Sequence, residues 1–420
     1  MEQELTTGVH LTVIPTTQFK TISILISYSS KARLETLTTR SLLADLMETS
    51  SAAYPTQTAL ASALSDMYGA NFSTNVTKSG DIAQFQFALT VPNGRYLQGH
   101  PALLNSGVTF LDEVIHHPLL DAKATEPQFD TATFTRQQEN LAAALTAVSE
   151  DKMLYTRLQA QQLHFGDVVA AYPSAGRLAD VAALTPASVY AEYQRMIAED
   201  EVRIYVIGDV DEGIVGATMR QLDFAARDHV TGTMTYKPAV PTTVTAKVEH
   251  QPVAQAKLDL LYYLPVDYGQ ALYYSAQVFN GLFGGTPLSL LFTNVREKQS
   301  LAYYASSSIN FFNQTMTVQT GIDGEQADLV TKIIGEQLAD LTNGRFSDQR
   351  FHQVKETLIN QREAAQDAPR LQIGSRLLDD LSGHQISVDD WVAGINAVTP
   401  ADVTMVARLA TLATTYLLKA

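Results

Sequence analysis

Apolar residues along this chain change period in an order that occurs twice. VHLTVIP and TISILISYS, near the start, are rich in β-branched residues and predict two paired strands. SLLADLMETS then switches to the helical period, with Leu42, Leu43, Leu46 and Met47 on one stripe. A second helix carries Ala59, Leu60, Ala63, Leu64 and Met67 and stops near Gly69. ANFSTNVTKSGDIAQFQFALTV returns to alternation, placing Phe85, Phe87, Leu89 and Val91 on one face of a hairpin. A helix-rich stretch from about Pro101 to Met196 precedes a closing strand, DEVRIYVIGDV.

The same order follows in the second half. KLDLLYYLP alternates Leu258, Leu260, Tyr262 and Leu264, and ALYYSAQVFNGLFGG reads as a helix terminated by glycines. NQTMTVQTGI is a strand, EQADLVTKIIGEQLADLTNG is an amphipathic helix closed by Gly344, and more helices lead to the terminal strand TTYLLKA. Near each closing strand stands the same helix start, LTPASV and VTPADV, with a threonine N-cap and proline in the first turn. Thr185 and Thr399 lie 214 residues apart, about half the chain, which predicts two related halves. Residues 226–247 are poor in large apolar side chains and rich in Thr and Pro, as a linker is. The reading is an α+β protein with an N-terminal domain over 1–225, a linker over 226–247 and a C-terminal domain over 248–420. Each domain is expected to hold a mainly antiparallel sheet packed with helices.

Composition narrows the function. A chain of 420 residues exceeds one ordinary core, in line with two domains. Its 44 acidic and 29 basic residues leave a formal charge of −15, which repels nucleic acid and anionic membranes. No stretch approaches the roughly 20 apolar residues of a membrane helix. MEQELTTGVHLTVIP lacks the basic start and apolar run of a secretory signal, so a cytoplasmic location is expected. The absence of cysteine removes disulfides, thiol nucleophiles and thiolate metal sites.

Familiar catalytic signatures are missing. There is no G-x-S-x-G elbow and no P-loop. DVDEG at 209–213 lacks the glycine and the closing acid of a calcium loop, so its carboxylates are expected to cap the next helix. Of nine histidines only His116 and His117 adjoin; with Glu113 one turn earlier they suggest a metal site on paper. Two histidines at a helix end before Pro118 are more simply explained by the helix dipole, since zinc needs three or more convergent ligands.

The most specific stretch is NGLFGGTPLSLLFTNVREKQSLAYYASSS. Its glycine turn, Ser289, Leu291, Phe292, then Arg296, Glu297, Lys298, and finally Leu301, Ala302, Tyr303 resemble the pitrilysin and insulinase family of zinc peptidases. The likeness is closest to the short bacterial and mitochondrial-processing type, built from two such domains. VIGDVD and the capped LTPASV helix also look like family features. Leu290 stands where arginine is common, and Ser300 where glycine is common.

The larger departure is in the first half. Peptide-cutting relatives carry H-x-x-E-H on the helix after the second strand, two histidines binding zinc and the glutamate activating water. SLLADLMETS stands there instead, and no histidine occurs between His10 and His100. Asp45 and Glu48 remain as carboxylates and are expected to be exposed helix charges; Glu139 is a possible counterpart of a further zinc-binding glutamate.

In that family the arginine and tyrosine of the second-half motif resemble a clamp facing the zinc site, the phenol donating to the developing oxyanion. The resemblance therefore implies a zinc-less, non-catalytic subunit in which Arg296 and Tyr303 bind peptide and complete the site of a related zinc peptidase. The cofactor, zinc, is expected only in that partner subunit, and this chain is not expected to cut peptides alone. The alternative for the pair is a salt-bridged Arg296–Glu297 corner with Tyr303 packed in the sheet. Tyr304 should point to the opposite face. A second reading of the whole chain is a structural or peptide-binding homodimer outside proteolysis, as core subunits of respiratory complexes show for this fold.

Overall fold

The computed structural model describes residues 2–227, 232, 234–298 and 301–420. The motif position Ser300, the side chains of Glu297 and Lys298, and part of the linker lie outside the described residues.

The chain forms two compact units. The first comprises the chain up to Thr146, Pro173–Gly232 and Asp367–Leu377. Its sheet contains β1 (Glu2–Thr6), β2 (Val9–Pro15), β3 (Thr21–Lys31), β4 (Asn71–Ser79), β5 (Ile82–Pro92) and β6 (Glu201–Gly208) in the order β1-β2-β6-β3-β5-β4. The second unit comprises Ala147–Tyr172, Thr233–Gln366 and Leu378–Ala420. Its strands are β7 (Thr245–His250), β8 (Ala256–Tyr263), β9 (Ala302–Asn310), β10 (Thr315–Ile322) and β11 (Thr411–Lys419), in the order β7-β11-β8-β10-β9.

Removing β1 leaves the same topology twice. In each sheet the closing strand runs parallel to the opening one (β6 with β2, β11 with β7), and every other pairing is antiparallel. The α+β class and the internal repeat are both present in this pattern. The helix starts agree as well. Thr185 Oγ1 accepts from Ser188 N at 3.1 Å and Thr399 Oγ1 from Asp402 N at 3.3 Å, each with a reciprocal side-chain bond and a proline in the first turn.

One expected pairing is not formed. β2 and β3 do not touch as partners, because β6 lies between them. Nearly every residue of β6 is buried, and a strand covered on both faces gains most at the sheet centre, where both backbone edges are hydrogen-bonded. Local sequence order cannot reveal a partner that arrives some 190 residues later.

Alternation decides what each sheet buries. In the first unit Ile22, Ile24, Ile26, Phe85, Phe87 and Leu89 lie in the core with the helix stripe Leu42, Leu43, Leu46 and Met47. In the second, Leu258, Leu260, Tyr262, Met316 and Val318 do the same. The reverse face of the second sheet is covered in part by the helix Lys152–Phe165, whose Ala160 packs with Leu261, Tyr416 and Leu418. That helix comes from the first half of the sequence, yet its apolar side is matched only in the second unit. Among the described residues no helix is long and apolar enough to cross a membrane.

Candidate functional site

The helix Leu34–Thr49 occupies the position where a zinc-binding helix is expected in the first unit. Its apolar stripe is fully buried, which fixes how it lies on the sheet. Asp45 and Glu48 are half-buried, not exposed as the sequence suggested, because β4 packs beside them. Glu48 Oε2 accepts from Thr74 N at 3.0 Å and Thr74 Oγ1 at 2.9 Å. Thr74 Oγ1 also reaches Ala44 O at 2.9 Å, so this carboxylate rivets the helix to the edge strand. Burial, and then the nearby charge of Glu48, pushes the Asp45 carboxyl up to about 6.

Neither Glu139 nor Glu113 joins these two carboxylates. Gln137, two residues before Glu139, points at the helix Leu34–Thr49 and donates to Thr49 Oγ1 at 3.3 Å. Glu139 therefore projects away from that helix and is exposed. Glu113 Oε1 holds the loop after the helix, accepting from Ser51 Oγ at 2.8 Å and Ala53 N at 2.6 Å. His116 pairs with Asp112 at 2.7 Å. The residues present do not fit zinc: no imidazole stands on this helix, one carboxylate is committed to Thr74, and Glu139 does not converge with the other two.

The motif of the second unit is built differently. The helix Tyr273–Asn280 continues into a wider turn, Gly281–Gly285. The glycines do more than end the helix. A Cβ on Gly284 would lie 2.6 Å from Ser307 N, and one on Gly285 2.4 Å from Asn280 Nδ2, so the turn presses on β9 and folds back tightly on its own helix. Ser289 is buried, and its carbonyl accepts from Thr293 N at 3.0 Å and Thr293 Oγ1 at 2.8 Å. Leu290, replacing the common arginine, is buried in the core beside Leu291.

A π-helical turn, Phe292–Lys298, presents Arg296 to solvent, its guanidinium 4.6 Å from the Phe292 ring centre. The bond from Leu301 N to Val295 O, 3.1 Å, closes the turn onto β9. There the register slips: Gly321 faces Tyr304 but Ile322 faces Ala302, so Tyr303 is the extra residue of a bulge. The bulge turns Tyr303 outward until its side chain is 75% exposed. Neither Tyr303 nor Arg296 makes a hydrogen bond among the described residues. Tyr303 borders an open cleft of about 610 Å³ with Asp323, Glu325 and Lys419; Arg296 is not among its walls.

Tyr304 takes the other side of the bulge. Its ring lies where a side chain on Gly321 would stand and packs 5.2 Å from Lys257 Nζ. Its hydroxyl is buried without a hydrogen-bond partner among the described residues, and burial raises its pKa well above the ordinary tyrosine range. In the next row is Asp259, an acid that sequence reasoning passed over. It is 1% exposed on a central strand, its one hydrogen-bond donor among the described residues being Gln319 Nε2 at 3.3 Å, and burial pushes its carboxyl up to about 7 against the pull of Arg157 and Lys257. The one available signal was an acid set between two leucines in an alternating strand, KLDLL.

Two sheets of one topology, each packed with helices, joined to a glycine-turn, Arg and Tyr motif in the second, define a class of two-domain peptidase-like proteins. Residues 183–358 match the Peptidase M16 inactive domain. The chain is 32% identical over 417 residues to the Probable inactive metalloprotease YmfF of Bacillus subtilis (strain 168), spanning 98% of this chain and 96% of that protein. It belongs to the M16 peptidase family, as the motif implied. A conserved protein from Enterococcus faecalis V583 superimposes with a TM-score of 0.94 at 38% identity, over 100% of this chain and 98% of that one. A protease from Helicobacter pylori shares the fold, with a TM-score of 0.82 at 14% identity, over 100% and 99% of the two chains.

Proposed function

We propose that this chain is the non-catalytic member of a peptidase pair. It binds a peptide substrate and lends Arg296 and Tyr303 to a zinc site on a related H-x-x-E-H subunit. The observation that carries this reading is the exposed Tyr303 phenol, set outward by a bulge and without a hydrogen bond among the described residues. A hydroxyl held this way donates to the carbonyl of a bound peptide and more strongly to the oxyanion that develops on attack. The Arg296 guanidinium supplies a planar fork of donors that orients the peptide or a neighbouring carboxylate. The first unit supports the same division of labour, since its helix carries a riveted carboxylate instead of ligands. A cysteine-free, acidic chain suits a cytoplasmic setting.

Co-expression with the H-x-x-E-H subunit, located by inspecting neighbouring reading frames, tests this. The pair should cut peptides, and this chain alone should not. Peptidase activity of the isolated chain with one bound zinc overturns the reading. A stable homodimer, with no H-x-x-E-H gene nearby, favours the structural role.

A further inference from the structure

The first unit holds a cavity of about 350 Å³ that the clamp does not use. It lies between the sheet and the first part of the helix Pro369–Ser382, residues 369–377 of which belong to this unit. Thr74 points to the helix Leu34–Thr49, so its neighbours Ser73 and Asn75 face the opposite side, into the cavity. Neither side chain makes a hydrogen bond among the described residues. The apolar floor is Leu25, Ile373 and Leu377.

Arg370 stands at the cavity on the helix. Only its Nη2 is engaged, donating to Asn71 Oδ1 at 2.9 Å; its Nε and Nη1 make no bond among the described residues. One turn on, Gly374 borders the same space, and a Cβ there would meet nothing within 4 Å. Glycine inside a helix is less stable than alanine, and no neighbour forbids a side chain at this position. Its presence keeps the cavity mouth clear.

We propose that this cavity binds the C-terminal end of a peptide, its carboxylate on the free side of the Arg370 fork. The chemistry selects that ligand. Asn71 takes one Nη2 hydrogen; the other, with the neighbouring Nε–H or Nη1–H, leaves a complete fork that matches a planar carboxylate, while the unpaired Ser73 and Asn75 side chains match peptide groups and the floor takes one apolar side chain. The volume is at the small end of ligand cavities, about 300–1,000 Å³, which suits the last residues of a chain. β4 is the edge of its sheet, so a peptide can enter alongside it. This site is independent of the clamp and of any partner subunit.

Fluorescence anisotropy on the full chain alone tests it, with a dye-labelled Gly-Ser-Ala-Leu peptide bearing a free C-terminus and the same peptide as its amide. The free acid should bind about tenfold tighter than the amide, the loss of one charge-assisted contact. Arg370→Gln should erase that preference while leaving amide binding unchanged. Gly374→Leu should abolish binding of both with the melting temperature kept. Equal affinity for acid and amide, an undiminished preference in Arg370→Gln, or no binding at low-millimolar concentration overturns the proposal. So does binding of N-acetylleucine as tight as that of the peptide.

Discussion

The edge strands β4 and β9 occupy the same place in two copies of one topology, and they meet their neighbouring helix or turn in opposite ways. In the first unit β4 is tied down: Thr74 is held by Glu48 and Ala44, and the helix it holds is buried along its apolar stripe. In the second unit the turn before β9 and the bulge within it leave Arg296 and Tyr303 directed at solvent. A shared fold thus says little about which copy carries chemistry. On β4 the face turned to the helix is satisfied, whereas on β9 the polar groups of the motif are left unpaired at the surface.

The largest expected effect concerns the second unit's hidden acid. The folded Asp259 carboxyl, pushed up to about 7, holds its proton more tightly than an unfolded aspartate near 4. Stability should therefore fall as pH rises from about 4 to 7, by roughly 4 kcal/mol, with the full cost present above 7. Asp259→Asn should flatten this dependence; urea midpoints at pH 4.5 and 8 read it directly. An unchanged slope would mean that the acid is better solvated than its burial implies.

Next comes the clamp. In the assembled pair, Tyr303→Phe should cost about 10²- to 10³-fold in kcat, as loss of one oxyanion donor does, while the urea midpoint of the isolated chain stays put. Arg296→Ala should behave alike in the pair. Normal turnover by both variants would remove the functional side of the contrast. On the structural side, Glu48→Ala leaves Thr74 N without its acceptor and should destabilise the chain by about 1–3 kcal/mol, measured by denaturant unfolding. The smallest effect is at Asp45, raised to about 6 and only half-buried, so solvent screening trims its contribution. Asp45→Asn should stabilise by about 1 kcal/mol at pH 8 and by nothing near pH 4, because the wild-type cost appears only as the carboxylate ionises.

Much of this was legible before any coordinates. The alternation of Phe85, Phe87, Leu89 and Val91 located β5, and the stripe from Leu42 to Met47 located the helix, because side-chain period follows directly from backbone geometry. Thr185 and Thr399, each followed by proline, announced the starts of their helices. The place of β6 between β2 and β3 was not legible, since strand partners are chosen by burial over long separations. Nor was the role of Glu48, whose acceptor function depends on a threonine 26 residues away.

For the candidate site the division is sharper. The order of Arg296 and Tyr303, and the absence of histidine from SLLADLMETS, were properties of the sequence alone. That Tyr303 faces solvent while Tyr304 folds onto Gly321 was decided by tertiary structure. Simple alternation would have put one tyrosine on each face of a regular strand. The bulge against Ile322 breaks that alternation, and a bulge arises from how two strands meet, a relation no single stretch of sequence contains.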